Sequence, residues 1–503
     1  MNTHASRRHD LNEMAWIPAV TLSGDRLTLS LRDVLLRSSE LDRVAGDTAV
    51  ETAALLRFLS ATAARVVQLG GGRAEIAKAA VEAFVEAHGE QHWLLHPETP
   101  FMQEPLLTIP AGPKGAPAAT PVSWLELAAP SSTGKAWWGK EGDRTGDVTP
   151  AQIARRLVTT WFYSPGVGGR ASGTYRDAPD DAWRPRGTIS FSSHGMRSFW
   201  RGRTLAETLL ANVPHAHAAR GLPLWLATRN ASPSDSELTA ATWTGSAYLL
   251  VEVGDAIEQV VVSGRRIPGY PADPAKRKAL AKEVEAGLWL ADPTVMRTPV
   301  RKSGEETGEL RTLRSISPQA TSLRYAAEWW VLTERRGAVR SQTPGLVEVT
   351  RSEVFSICLE GQATAPELAH AIWVTQTSAL TDATAAARLR SLTTHLVLPL
   401  RKAFYAASVA ALGTESAPKL SEAVFDEFAE RIEPLLGELA AAPSMTAEFA
   451  GRFVAEAMPA FMTAVSPYVT PKTLAPHGDN GGIARGRAYL QASCRKALRS
   501  PLP

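Results

Sequence analysis

The stretch S-A-L-T-D-A-T-A-A-A-R-L-R-S-L-T-T-H-L-V-L-P-L-R-K-A-F-Y-A-A-S-V-A-A-L, residues 378–412, is where the chain changes character. Alanine and leucine recur at three- and four-residue intervals, the period that gathers apolar side chains on one helix face. Pro399 lies inside it, lacks a backbone donor and predicts a kink. The same period returns over residues 420–441, 445–465 and 483–499, with breaks at G-T-E-S-A-P, A-A-P-S and residues 467–482. Four amphipathic helices with short connections predict an antiparallel four-helix bundle. Strand signals cease after Glu367. The expected fold class is therefore α+β: a large mixed α/β N-terminal domain, residues 1–366, followed by a C-terminal four-helix bundle, residues 367–503.

Upstream, M-A-W-I-P-A-V-T-L-S-G-D-R-L-T-L-S-L at 14–31 alternates on either side of Ser23-Gly24-Asp25 and predicts a β-hairpin. L-R-D-V-L-L-R at 31–37, residues 50–69 and residues 75–88 have helical period. W-L-L-H-P-E-T-P-F-M-Q at 93–103 carries two prolines among aromatics and predicts a fixed, non-helical corner. His92 and His96 lie beside it with no Cys or carboxylate at metal-ligand spacing, so both read as structural. Residues 109–121 form a Pro/Gly/Ala-rich loop, 188–191 a short strand, 204–213 a helix and 248–262 one or two strands. Residues 301–314 read as an exposed hairpin or loop, and 347–359 as a strand ending in E-G-Q-A-T-A-P-E. There Gly361 and Pro366 are expected to bracket a turn that presents Gln362.

Three polar stretches carry the functional signals. S-P-G-V-G-G-R at 164–170 places Gly166, Gly168 and Gly169 after a proline, giving a backbone that turns sharply and offers N–H groups to an anion or base edge. It has neither the terminal G-K-[ST] of a P-loop nor the spacing of a dinucleotide fingerprint, and a plain surface turn is the competing reading. S-S-T-G-K-A-W-W-G-K-E-G-D-R-T-G-D at 131–147 is a long polar loop in which Lys135 and Lys140 flank Trp137 and Trp138. That pairing suits stacking of unpaired bases beside phosphates, and equally two tryptophans folded back into the core. Lys276, Arg277, Lys278 and Lys282 can neutralise phosphates or form a solvated helix face, and the basic residues of the last helix allow the same two readings.

The bulk properties are those of an ordinary folded protein of at least two domains: 503 residues, 44% hydrophobic, 21% charged and a net charge of +3. Such a balance permits nucleic-acid contact only through local patches. No run has the apolar length of a membrane helix and none follows M-N-T-H-A-S-R-R-H-D, so a cytoplasmic protein without membrane contact is expected. Cys358 and Cys494 are far apart and read as buried, inert thiols; neither a metal nor another cofactor is expected. No H-E-x-x-H, G-x-S-x-G, C-x-x-C, Walker or D-x-D pattern appears.

W-I-P at 16–18, L-R-D-V-L at 31–35, H-P-E-T-P-F-M-Q at 96–103, P-G-V-G-G at 165–169 and E-G-Q-A at 360–363 occur in an order and spacing that carry a family likeness. From end to end the chain resembles the large subunit of the type I-E CRISPR surveillance complex Cascade, the CasA family. The resemblance implies a non-catalytic subunit that reads the motif flanking a target (the protospacer-adjacent motif) in double-stranded DNA. By match, Gly166, Gly168 and Gly169 form the glycine loop, a lysine finger falls near Lys276 to Lys278, and Gly361, Gln362 and Ala363 form a wedge that starts strand separation. Trp137 and Trp138 fall where the family contacts the 5′ handle of the CRISPR RNA. The implied partners are CRISPR RNA, double-stranded target DNA, the backbone and small Cascade subunits, and a recruited helicase–nuclease. The paired cysteines of some relatives have no counterpart here, the insertion 175–185 of this chain has none in the family, and Arg170 closes the glycine loop. The alternative is a nucleotide- or phosphoester-processing enzyme that uses the 164–170 loop as an anion cradle.

Overall fold

A computed structural model describes residues 9–109, 119–125, 148–163, 173–176, 195–228, 231–265, 275–276, 279, 292–302, 305–312, 339–340, 345–347, 353–362, 365–367, 373–376, 391–441, 445–469 and 482–499. The chain divides into two compact units, the first mainly Met1–Ser315 and the second mainly Trp373–Pro503.

In the first unit, β1 (Ile17–Thr21) and β2 (Arg26–Leu29) pair antiparallel as the alternation predicts, with Gly24 at φ +94° in the turn, and β3 (Leu41–Val44) adds to β1. Ser30 caps α1 (Leu31–Leu36), its Oγ accepting from Asp33 N. Thr48 does the same for α2 (Ala49–Leu69) through Glu51 N. Most of α2 is buried on every side, because its many alanines let neighbouring elements approach from all directions. It packs against α3 (Lys78–His88), α4 (Pro150–Tyr163), α5 (Leu205–Ala211) and α6 (His215–Ala219).

The H-P-E-T-P-F-M-Q corner is a core device. Phe101 packs edge-on to Phe58 at 5.6 Å and Trp16 at 6.1 Å. Met102, buried and at φ 53°, turns the chain so that Gln103 spans two segments. The Gln103 amide donates to Leu94 O at 2.7 Å while its oxygen accepts from Leu250 N at 2.8 Å. His92 is fully buried, its Nδ1 2.9 Å from His88 O, and burial pushes its pKa down to about 4. His96 Nδ1 accepts from Thr99 N at 2.9 Å, closing the turn. Among the described residues no group of His, Cys, Asp and Glu could hold a metal.

β4 (Leu107–Thr108) pairs with β6 (Thr174–Tyr175), and β5 (Thr120–Pro121) with β9 (Ala256–Gly264). β9 forms a hairpin with β8 (Ser246–Val253) about Gly254-Asp255, where Gly254 sits at φ +65°. β7 (Gly195–Arg201) precedes α5, and α7 (Glu237–Ala241) precedes β8. The expected hairpin near residue 301 is β10 (Met296–Lys302) with β11 (Glu305–Thr312), joined by β12 (Val339–Arg340). β13 (Glu353–Gln362) and β14 (Ala365–Glu367) follow. A further strand, β15 (Trp373–Gln376), shows that strand structure does not cease at Glu367 as the sequence suggests. W-V-T-Q is short and β-branched, a signal swamped by the helical composition around it.

The described part of the second unit is otherwise helical: α8 (Leu398–Leu412), α9 (Ala417–Ala441), α10 (Ala447–Ala455), α11 (Ala457–Val465) and α12 (Ile483–Arg499). Its core is built on Phe428, edge-on to Phe404 and Phe453 at 5.3 Å each. At Pro399 the chain passes from a π turn (Thr393–Val397) into α8, the interruption the proline predicts. The expected single helix over 445–465 is two, because Pro459 in the first turn of α11 has no N–H to give the preceding turn. Cys494 is half-buried and its thiol is pushed up to about 11 by burial, an inert group as expected.

Candidate nucleic-acid interface

In sequence the glycine stretch follows directly on the end of α4. Trp161, Phe162 and Tyr163 are all buried there, and Trp161 Nε1 donates to Thr242 O at 2.9 Å. The Arg57 guanidinium lies over Phe162, 4.7 Å from the ring centre, and 5.9 Å from that of Tyr163. Beyond the stretch, the Gly173 N–H donates to Val262 O at 3.0 Å and its carbonyl accepts from Ser263 Oγ at 3.1 Å. A Cβ at residue 173 would fall 2.5 Å from Val261 Cγ1, so this contact with β9 demands glycine. Tyr175 OH then donates to Gly264 O at 3.2 Å.

The lysine segment is bounded in sequence by Arg265 and Asp292. The Arg265 N–H donates to Gly245 O at 2.8 Å and its guanidinium lies 4.8 Å from the Trp161 ring centre. Asp292 is 1% exposed. Asp292 Oδ2 lies 2.9 Å from Arg57 Nη2 and 3.5 Å from Arg197 Nε, while Oδ1 accepts from Thr294 N at 2.9 Å and Thr294 Oγ1 at 2.7 Å. Burial alone would raise the Asp292 pKa, but the two guanidiniums and Thr294 outweigh it and hold the carboxyl below its ordinary value. Burial pushes the Tyr163 phenol up, against the pull of Arg57 and Arg197. Of the cations in the segment, Lys276 is described, helical and exposed; Lys278 lies outside the described residues.

Gly361 and Gln362 are the last two residues of β13, paired with Pro366 and Ala365 of β14. Gly361 and Pro366 pair across the hairpin and so bracket its turn as expected, and Gln362, opposite Ala365, is the last paired residue before it. Extended backbone carries the chain past Gly361, and Pro366 is tolerated because β14 is an edge strand. β7 pairs with β13, and the same β7 carries Arg197 to Asp292. Gly166, Gly168, Gly169, Trp137, Trp138 and Ala363 lie outside the described residues. Sequence reasoning misses Arg57, Arg197, Arg265 and Asp292. Arg57 has a signal, a lone cation in the apolar run A-A-L-L-R-F-L; the other three have none.

The architecture is that of the large subunits of CRISPR RNA-guided surveillance complexes. Across residues 10–448 the chain matches the model of CRISPR-associated protein Cse1, and it belongs to that family, whose members are the CasA-type large subunits of type I-E. It is similar to the solved Cse1 of Acidimicrobium ferrooxidans, with 18% identity, 99% of each chain covered and a TM-score of 0.66. The CasA of Thermus thermophilus is similar at 16% identity and a TM-score of 0.64, over 98% of this chain and 99% of that one. A chain of a CRISPR RNA-guided surveillance complex is similar at 19% identity and a TM-score of 0.62, over 98% of this chain and all (100%) of that one. No match was found among curated protein sequences. No described helix is long and apolar enough to cross a membrane.

Proposed function

We propose that the protein is the non-catalytic large subunit of an RNA-guided CRISPR interference complex and reads the protospacer-adjacent motif in double-stranded DNA. Gly166, Gly168 and Gly169 approach the minor-groove edge, where acceptors are degenerate and close backbone approach matters more than side-chain readout. Lys276 and Lys278 supply charge to the adjacent phosphates. Gly361, Gln362 and Ala363 press on the first base step, whose unstacking costs a few kcal/mol. Trp137 and Trp138 stack on the 5′ handle of the CRISPR RNA. Residues 1–366 form the motif-reading domain; residues 367–503, the bundle, meet the small subunits and displaced DNA, and the surface of the protein recruits the helicase–nuclease. In this reading the protein works in the cytoplasm.

The observation that carries the proposal is the common root of the two candidate loops. Tyr163 directly precedes the glycine stretch, Asp292 follows the lysine segment in sequence, and Arg57 touches both residues. A shared anchor at the described ends of both stretches supports simultaneous contact with a groove and its flanking phosphates. The test is binding of the assembled complex, at fixed salt, to two duplexes differing only in the flanking motif. Gly168→Asp removes the discrimination while the complex still assembles, and Gln362→Ala keeps motif binding but slows duplex opening. Equal discrimination by wild type and Gly168→Asp sinks the reading.

A further inference from the structure

Beside the Arg57–Asp292 pair lies a cavity of about 20 Å³, room for one occupant the size of a water or a chloride ion. Arg57 and Ser60 of α2, His217 of α6, Thr242 and Thr294 line it, and among the described residues no carboxylate does. Three of these wall residues present buried polar atoms without a hydrogen-bond partner: Arg57 Nε and Nη1, Ser60 Oγ and His217 Nε2. The residues are 7%, 7% and 4% exposed, so water from bulk solvent does not serve those atoms.

The donor chemistry narrows the occupant. An arginine Nε–H only donates, and a serine hydroxyl can donate. Burial holds His217 down to about 4, so at neutral pH its ring is uncharged and has one N–H to give. Arg57 Nη2 is engaged by Asp292 and by Ala241 O at 2.8 Å, which leaves Nε and Nη1 without a partner. Donors with a guanidinium among them, and no acceptor charge in the described wall, favour an anion over a neutral molecule. We propose that this cavity is a monovalent-anion site that takes chloride in solution, held by Arg57 Nε–H, Ser60 Oγ–H and His217 Nε2–H. The site itself touches no DNA in the proposed function, and its occupant completes the polar shell around Arg57.

The full-length chain, crystallised in sodium bromide, shows an anomalous peak within hydrogen-bond distance of Arg57 Nε and Ser60 Oγ. In solution its thermal midpoint rises with chloride or bromide but not with gluconate at matched ionic strength. Ser60→Ala weakens chloride binding about tenfold by removing one hydrogen bond to a charged acceptor, with an unchanged circular-dichroism spectrum. Density without anomalous signal in bromide crystals overturns the proposal, as does a midpoint that follows ionic strength regardless of the anion.

Discussion

Around Asp292 the first unit brings Arg57 and Arg197 into its interior, whereas the described core of the second unit is phenylalanine, leucine and alanine, with Phe428 set between Phe404 and Phe453. The two solutions do different work. Apolar packing is strong but tolerates small rotations, since dispersion and burial depend weakly on direction. Hydrogen bonds and charge pairs are directional, and in a desolvated setting they penalise displacement. The unit from which the candidate loops depart spends stability on geometry; the helical unit does not.

The largest effect should come from breaking the charged core. Asp292→Ala strands two buried guanidiniums and lowers stability by about 3–5 kcal/mol in denaturant titration. Phe428→Ala opens a cavity and costs a similar amount, about 3–5 kcal/mol. The contrast lies in the second readout: in milder form, Asp292→Asn weakens motif discrimination by the assembled complex, and Phe428→Leu leaves it unchanged. Equal loss of discrimination from both would erase the distinction between the two cores.

Acid sharpens the same comparison. His92 and His217, both in the first unit, have folded-state pKa values near 4, below the ordinary 6.5. For such depressed groups the folded state binds protons less readily than the unfolded state. Their contribution is therefore complete above pH 6.5 and is lost as pH falls toward 4. Each accounts for about 3 kcal/mol across that window. The measurable outcome is a shallower stability-versus-pH slope in His92→Phe between those limits.

Smaller effects belong to the helical unit. At Gly486, where α12 crosses α8, an added Cβ falls 2.6 Å from Ala407 O. Gly486→Ala then forces backbone to shift and costs about 1–3 kcal/mol, read from the chemical-denaturation midpoint. Arg452 and Glu438 pair at 2.7 Å but are half exposed, so Arg452→Ala produces no measurable change in that midpoint.

Local rules make much of the fold legible. The helix Ile483–Arg499 follows from its period, and the Ser23-Gly24-Asp25 hairpin from its alternation, because each signal is contained within a few neighbouring residues. The helix break at Glu456 escapes the same reading, although Pro459 carries it, because a proline in a first turn looks the same as one inside a continuous helix. The candidate interface is suggested by glycine and lysine content, but its anchoring residues are not legible in the sequence. Arg57 and Asp292 are far apart in sequence, and no periodicity records that they meet. Gly361 and Pro366 are legible as the residues that bracket a turn, whereas the extension of strand pairing through Gln362 is not.

Tyr163 and Gly173 bear on how such a protein can diversify. The chain enters its glycine stretch from a buried aromatic and is pinned on leaving by two hydrogen bonds to a β-strand. On the proposed reading, fold and preference fall to separate residues: substitutions between Tyr163 and Gly173 would change the accepted motif, while the two pins are held in place by the fold. On that reading a lineage pressed by changing invaders could revise its recognition a few codons at a time and keep the same scaffold throughout.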